Sequence, residues 1–382
     1  MMPNGEELTV RRTMQFMRRV LPCEEHRQSM TLHKRCFKAD DAVQAFRVAF
    51  PQEIVSVEAA VAFGTMLQQA KILTHVSDPQ KPFCSGRSLY RLQCYQNPEI
   101  LNSARVCDEA IDGDVMDLLS EVNSLLVEVE RTASDAKSGL IDYSMAYKSP
   151  YFSMFEDSLC RFQQLNLKEL DEITRVAVGI NIYNIMTKFA FMKVGVPQNK
   201  SSRASFTSEV KLNIGGDILS FDELEYGVLV GNRRGVFGSK DPRLRLAVGG
   251  IDPRVHFVLH RTPLTPHNMP LIYPSTLHYD LQRETKKYLA IHSNLMIDSG
   301  NRVIHVNELF RLHRHDIGKG DTESLTSFLE RNLEGGKKLA MQLLIQGGKP
   351  PTLEYMDLDW GSGAGTAHAF RMSSLKVNKG IL

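Results

Sequence analysis

The sequence predicts an α+β chain in three parts: a three-helix module closed by a β wing (residues 9–97), a helical linker (98–145), and a larger α+β domain with a C-terminal extension (146–382). Three observations predict it. Helical apolar spacing dominates the front and gives way to two short alternating runs around a polar loop, which is a winged-helix order. A heptad-like apolar stripe follows. Beyond it, long apolar helix patterns mix with short strand-like runs and glycine-rich turns. A length of 382 residues suits two or three domains, and 42% hydrophobic with 24% charged residues is ordinary for a globular chain.

The first helix is predicted over residues 9–21, with Val10, Met14, Met17 and Leu21 on one face and arginines on the other. The second, DDAVQAFRVAF, runs over 40–50, with an aspartate cap and Pro51 as stop. The third runs from about Ser56 to Ala70. KILTHV and SLYRLQ then flank a polar loop as the wing. Val115, Leu118, Leu119, Val122, Leu125, Leu126 and Val129 make the apolar stripe, expected to pack within the chain, with a homodimer through 115–129 as the alternative. Helices are predicted near Met154 and over about Leu167–Val194, the latter apolar on most sides and ended by Gly195 and Pro197. A strand at Glu209–Ile214 and a Gly-Gly turn lead to Ser220, which caps a helix with Glu223 at the capping-box position. VHFVLH reads as a strand, with His256, Val258 and His260 on one face. Helices resume over Pro274–Leu289 and Asp321–Leu333, and TLEYMDLDW is a last strand-like piece.

Charge and cysteines bound the function. The net charge of +2 makes no overall case for nucleic acid, and none is expected as a partner. Between Thr9 and Asp40, however, eight basic side chains face three acidic ones, so basic character sits at the front. Six cysteines, the last at Cys160, lack framework spacing and read as reduced thiols. The opening residues lack a signal-peptide apolar core, and no apolar run is long enough to span a bilayer. A cytoplasmic location, at most peripheral at membranes, is the expectation.

RCFKADDAVQAF, AAVAFGTMLQQAKILTHV and SLYRL, in that order over about 14–94, resemble the DEP domain. The resemblance implies a targeting module for anionic lipid or receptor tails. Lys34, Arg35 and Lys38, on the loop expected before the second helix, become candidate membrane- or partner-binding residues; each exposed cation near an anionic surface is worth roughly 1 kcal/mol.

RFQQLNLKELDEITRVAVGINIYNIM, IGGDILSFDELEYGVLVGN, DPRVHFVLH and YDLQRETKKYLA, over about 151–290, resemble the domain-of-unknown-function 547 family, with YMDLDW also fitting. That resemblance implies an α+β fold distantly papain-like with permuted order, in which a His and a Cys would be the chemical pair. The chain departs from the pattern. Tyr226 follows Glu225 where the family has His, Gly179 stands where it has Trp, and the turn expected to carry Cys reads His260-Arg261-Thr262. Arg261 cannot attack an acyl carbon.

Other constellations carry less. Cys23-x₂-His26 and His33-x₂-Cys36 have zinc-like internal spacing, but only six residues separate the pairs; chance is the simpler reading and no metal is expected. No cofactor is expected either. His313-x-His315, beside Arg311 and Arg314, reads as a solvated basic patch. Asn181 and Asn184 share a helix face, and fixing the loop that holds His256 or Glu225 explains them without catalysis. The candidate catalytic set is His256, Glu225 and Asn181, vestigial if the domain is degenerate. The sequence thus points to an intracellular signalling or scaffolding protein that docks to an anionic membrane surface, a receptor tail or other proteins, with a catalytically degenerate second domain. The alternative is a hydrolase or transferase of permuted papain-like type using His256 and Glu225.

Overall fold

The structure, a computed structural model, describes residues 2–28, 30–97, 99–107, 109–135, 140–262, 270–348, 350–357, 369 and 370. His267, residues 358–360 of the last strand-like piece and Gly361–Gly365 lie outside the described residues. The architecture is α+β.

The front holds α1 (Val10–Val20), β1 (Glu24–Gln28), β2 (Thr31–Lys38), α2 (Ala39–Ala49), α3 (Val57–Gln69), β3 (Leu73–His75) and β4 (Leu89–Leu92). The Thr9 and Ser56 side chains accept backbone N–H groups at the starts of α1 and α3. The sheet runs β1-β2-β4-β3, antiparallel throughout. The expected closing strands are β3 and β4, paired with each other. Met17, Phe46, Phe63 and Tyr90 centre the core. One expectation is corrected here: the segment before α2 is the β1–β2 hairpin rather than a loop. EEHRQ is exposed on both faces, so it has no alternation to reveal it; the ladder with β2 holds it as a strand.

The middle comprises α4 (Val115–Ala133), α5 (Tyr143–Ala146), α6 (Phe152–Leu159), α7 (Glu172–Val194), α8 (Lys200–Glu209), β5 (Lys211–Ile214), β6 (Asp217–Ser220), a π-helical segment Glu223–Leu229, and α9 (Val255–Val258). Helix α7 is the axis, buried almost without break from Ala177 to Val194. Helix α4, within the expected linker, packs against α6 and α7. Of its stripe, Leu118, Leu119, Val122, Leu126 and Val129 are buried in the core around α6 and α7, and Val115 and Leu125 are partly buried against it. A buried ion pair, Lys188 Nζ to Glu130 Oε1 at 2.8 Å, ties α7 to α4.

The back comprises α10 (Leu277–Ala290), β7 (Leu295–Asp298), β8 (Val303–Asn307), α11 (Glu308–Leu312), α12 (Arg314–Gly318), α13 (Thr322–Asn332), α14 (Gly335–Gln346) and β9 (Thr352–Met356). Its sheet runs β7-β8-β9, with β8 and β9 parallel. It has its own core, including Leu289, Ile304, Phe310, Phe328 and Met341. Residues 146–382 therefore contain two cores. The turn α9 lies on the seam: Val255 and Val258 enter the middle core, while Phe257 enters the back one against Tyr288, Phe310 and Phe328. No helix among the described residues is long and apolar enough to cross a membrane.

Gly64 of α3 lets the ring of Phe83 approach; a Cβ there would meet it at 2.3 Å. Alanine would add up to about 1 kcal/mol of helix propensity, but overpacking costs about 1–3 kcal/mol. Phe83 is itself buried between Phe46 and Tyr90, so it has little room to yield. Gly64→Ala is expected to lower unfolding free energy by about 1 kcal/mol in urea titration; a stabilised variant would refute this packing.

Candidate functional site

Glu225 is aimed by an unusual piece of helix. Ser220 N–H donates to Glu223 Oε2 and Glu223 N–H to Ser220 Oγ, so the predicted capping box forms. The helix then widens: Val230 N–H donates to the Glu225 carbonyl, five residues back, at 2.9 Å. Leu229, at the end of this segment, lies where a Cβ on Gly179 would clash at 2.7 Å. The space that a Trp would need at 179 is thus filled from the π-helical segment.

The strand expected at 255–260 is instead the helical turn α9 followed by extended residues. Asp252 caps it, accepting from Arg254 N–H, and His256 N–H donates to the Pro253 carbonyl. The length is too short for periodicity to tell strand from turn. Asn184 fixes its exit, donating to the Val258 carbonyl at 3.0 Å and accepting His260 N–H at 2.8 Å. One turn earlier on α7, Asn181 makes the same two-bond clamp with Ile272, at 2.7 and 2.9 Å. Both atoms of its amide are spent on backbone, so Asn181 does not join Glu225 and His256. Nor do His256 and His260 share a face. His260 is buried beside Lys188, with both ring nitrogens unpartnered.

Glu225 and His256 do meet, 3% and 1% exposed. Glu225 Oε1 receives Arg261 Nη2 at 2.6 Å and lies 3.4 Å from His256 Nδ1 and 3.7 Å from His313 Nε2. Arg261 Nη1 also donates to the His256 carbonyl at 2.6 Å. On the far side His256 Nε2 lies 3.2 Å from Asp316 Oδ2. The His256 and His313 rings stack with centroids 3.6 Å apart. Two imidazoles are thus layered between two carboxylates. A carboxylate only accepts, so His256 carries its proton on Nε2 toward Asp316. On the other side its Nδ1 makes no hydrogen bond to Glu225 Oε1.

Burial works against a charge on Glu225, but the Arg261 guanidinium foremost outweighs it and holds the carboxyl well below the usual range. Burial, with His256 alongside, pushes His313 well below an ordinary imidazole. Burial, with Lys188 and Arg261 nearby, does the same to His260. Tyr183 and Tyr226 are pushed upward by burial and by Glu225, away from any phenolate role. Cys160 is buried elsewhere, its thiol pushed up to about 12 by burial. None of these groups is an activated nucleophile.

Among the described residues, Glu225, His256 and His313 place one ligand atom each within 4.8 Å of one another. They do not fit a metal as arranged. The guanidinium of Arg261 already occupies Glu225 Oε1, the atom that a cation held with the two rings would need. Arg233, 3.5 Å from Asp316, and Arg234, over the Tyr226 ring, add further positive charge.

His313 and Asp316 were not legible as part of this site. His313, read as a solvated patch, is 1% exposed. Its three-residue spacing to Asp316 was the available signal, masked by the arginines around it. The basic trio at the front is split. Lys34 lies 3.4 Å from Glu25, Arg35 stacks on Tyr95, and Lys38 is exposed at the start of α2. His26 and His33 face each other across β1 and β2, while Cys36 pairs in register with Glu24.

With this geometry in hand, residues 167–289 match a family described as a protein of unknown function, DUF547. The match covers α7 to α10 and so includes Glu225, His256 and Arg261, but neither His313, Asp316 nor the front module. No curated protein matches the chain.

The buried neutral histidines set a pH dependence. Their folded pKa values lie below the unfolded one of about 6.5. The stability they contribute is therefore full above that pH and lost as pH falls, because the unfolded chain takes up protons that the folded chain refuses. His260→Asn is expected to flatten the slope of stability between about pH 5 and 6.5 by up to about 1.4 kcal/mol per pH unit. Urea unfolding at each pH measures it, and an unchanged slope would contradict the burial of a neutral ring.

Proposed function

We propose that this chain is a non-catalytic adaptor: the second part is a binding scaffold, and the front is a DEP-like docking module for an anionic membrane surface or receptor tail. The observation that carries the reading is Arg261. Its guanidinium holds the carboxylate that a catalytic His256 would need, at 2.6 Å, inside a closed polar cluster. A cation there fills the role of a partner already bound, and neither carboxylate is left free to orient a reacting group. The distantly papain-like ancestry implied by the resemblance accounts for why a His and a Glu meet at all. Docking draws support from the basic front, where Arg35 and Lys38 are exposed and Lys34 is partly neutralised by Glu25.

Purified protein is expected to turn over no peptide, ester or amide substrate, and His256→Ala to leave the background rate unchanged. Measured turnover that His256→Ala abolishes would end the scaffold reading. In sedimentation with phosphatidylserine vesicles, Lys38→Glu is expected to weaken binding by at least fivefold, from about 1 kcal/mol per cation at the surface. Lys34→Glu should do less. Equal binding by wild type and Lys38→Glu would refute docking through this face.

A further inference from the structure

The β1–β2 ladder is irregular at one place. Glu24 pairs with Cys36 and His26 with His33, so Lys34 and Arg35 together oppose the single residue Glu25. This is a bulge, and its extra residue is Arg35, whose φ of 49° is left-handed. Glycine or asparagine would take that conformation with less strain than arginine. A bulge re-aims a side chain, and here it carries Arg35 onto the ring of Tyr95, its guanidinium carbon 5.1 Å from the centroid. Arg18 of α1 reaches the same ring at 5.6 Å and donates from Nε to Tyr95 Oη at 3.1 Å.

Both arginines line a cleft of about 320 Å³ between the front module and the middle core, with Tyr147, Glu156 and Lys193 on the other side of the seam. Lys193 is paired with Glu156 at 2.8 Å. Nearby, Arg105 and Asp157 satisfy each other at 2.7 Å. Arg18, Arg35 and Lys193 bring three positive charges to the cleft and Glu156 one negative charge, an excess of two. We propose that this interdomain cleft binds a phosphate monoester, with the forks of Arg18 and Arg35 as its principal donors. The group carries about −1.5 to −2 charges near neutral pH, which matches the excess. Planar guanidiniums match its oxygens two at a time. A recess between two bodies admits a projecting phosphate where a flat bilayer surface could not enter. The site shares Arg35 with the basic trio and does not depend on whether the second part is catalytic.

The strained position supplies a clean test. Arg35→Gly removes the donor while relieving the backbone, so it is expected to melt at or above the wild-type temperature without ligand. Full-length protein is titrated with phenyl phosphate, and separately with inorganic phosphate, against chloride at equal ionic strength. Wild type is expected to show a saturable rise in melting temperature with both phosphates. Arg35→Gly and, independently, Arg18→Gln are expected to need at least tenfold more. No rise over chloride in wild type, or the same half-saturation in both variants, would overturn the site.

Discussion

The bond from the Arg261 guanidinium to Glu225 is the contact on which the rest of the second part depends. It also reaches the His256 carbonyl, so one side chain ties the π-helical segment to the α9 turn. Around it, Glu225 and Arg261 come from the middle of the chain and His313 and Asp316 from the back, with the two imidazoles stacked between them. Removing either member of a buried pair leaves an uncompensated charge, typically at a cost of about 3–5 kcal/mol. Replacing the whole cluster by apolar groups would cost far less. On this physics the cluster specifies how two cores meet more than it adds net stability.

The neighbouring features follow from that demand. Phe257 and His256 are adjacent, one in the back core and the other in the polar cluster, so α9 works as a pin through the seam. The exit of α9 must then be fixed, and Asn184 does this through backbone on both sides of Leu259. The widened helix lets Glu225 face inward while Leu229 fills the space beside Gly179.

Much of this was legible in the sequence where physics is local. The helices α1, α2, α3, α7 and α13 announced themselves by spacing, and Ser220 with Glu223 by the box; the aspartate cap expected for α2 does not form, because the helix starts at Ala39 and Asp40 and Asp41 lie in its first turn. The β1–β2 hairpin was not, because both faces are polar and pairing alone defines it. β7, β8 and α14 were missed, being short or flanked by glycines. Within the site, Glu225 and His256 were identified and Arg261 singled out as the odd residue. His313 and Asp316 come from 52 or more residues beyond Arg261, and only tertiary folding makes them neighbours. Asn181 and Asn184 clamp loops as their shared face suggested, but spacing cannot say which loop each holds: Asn184 fixes the exit of α9, and Asn181 fixes Ile272.

The most direct measurement is a double-mutant cycle on unfolding free energy with Glu225→Gln, Arg261→Met and the double variant. Each single change should strand a buried partner, and the double change should restore part of the loss. A coupling of at least about 2 kcal/mol between the two sites is expected. Additive effects, with a coupling near zero, would mean that Arg261 is not the cation that Glu225 is built to hold, and would reopen the site to catalysis.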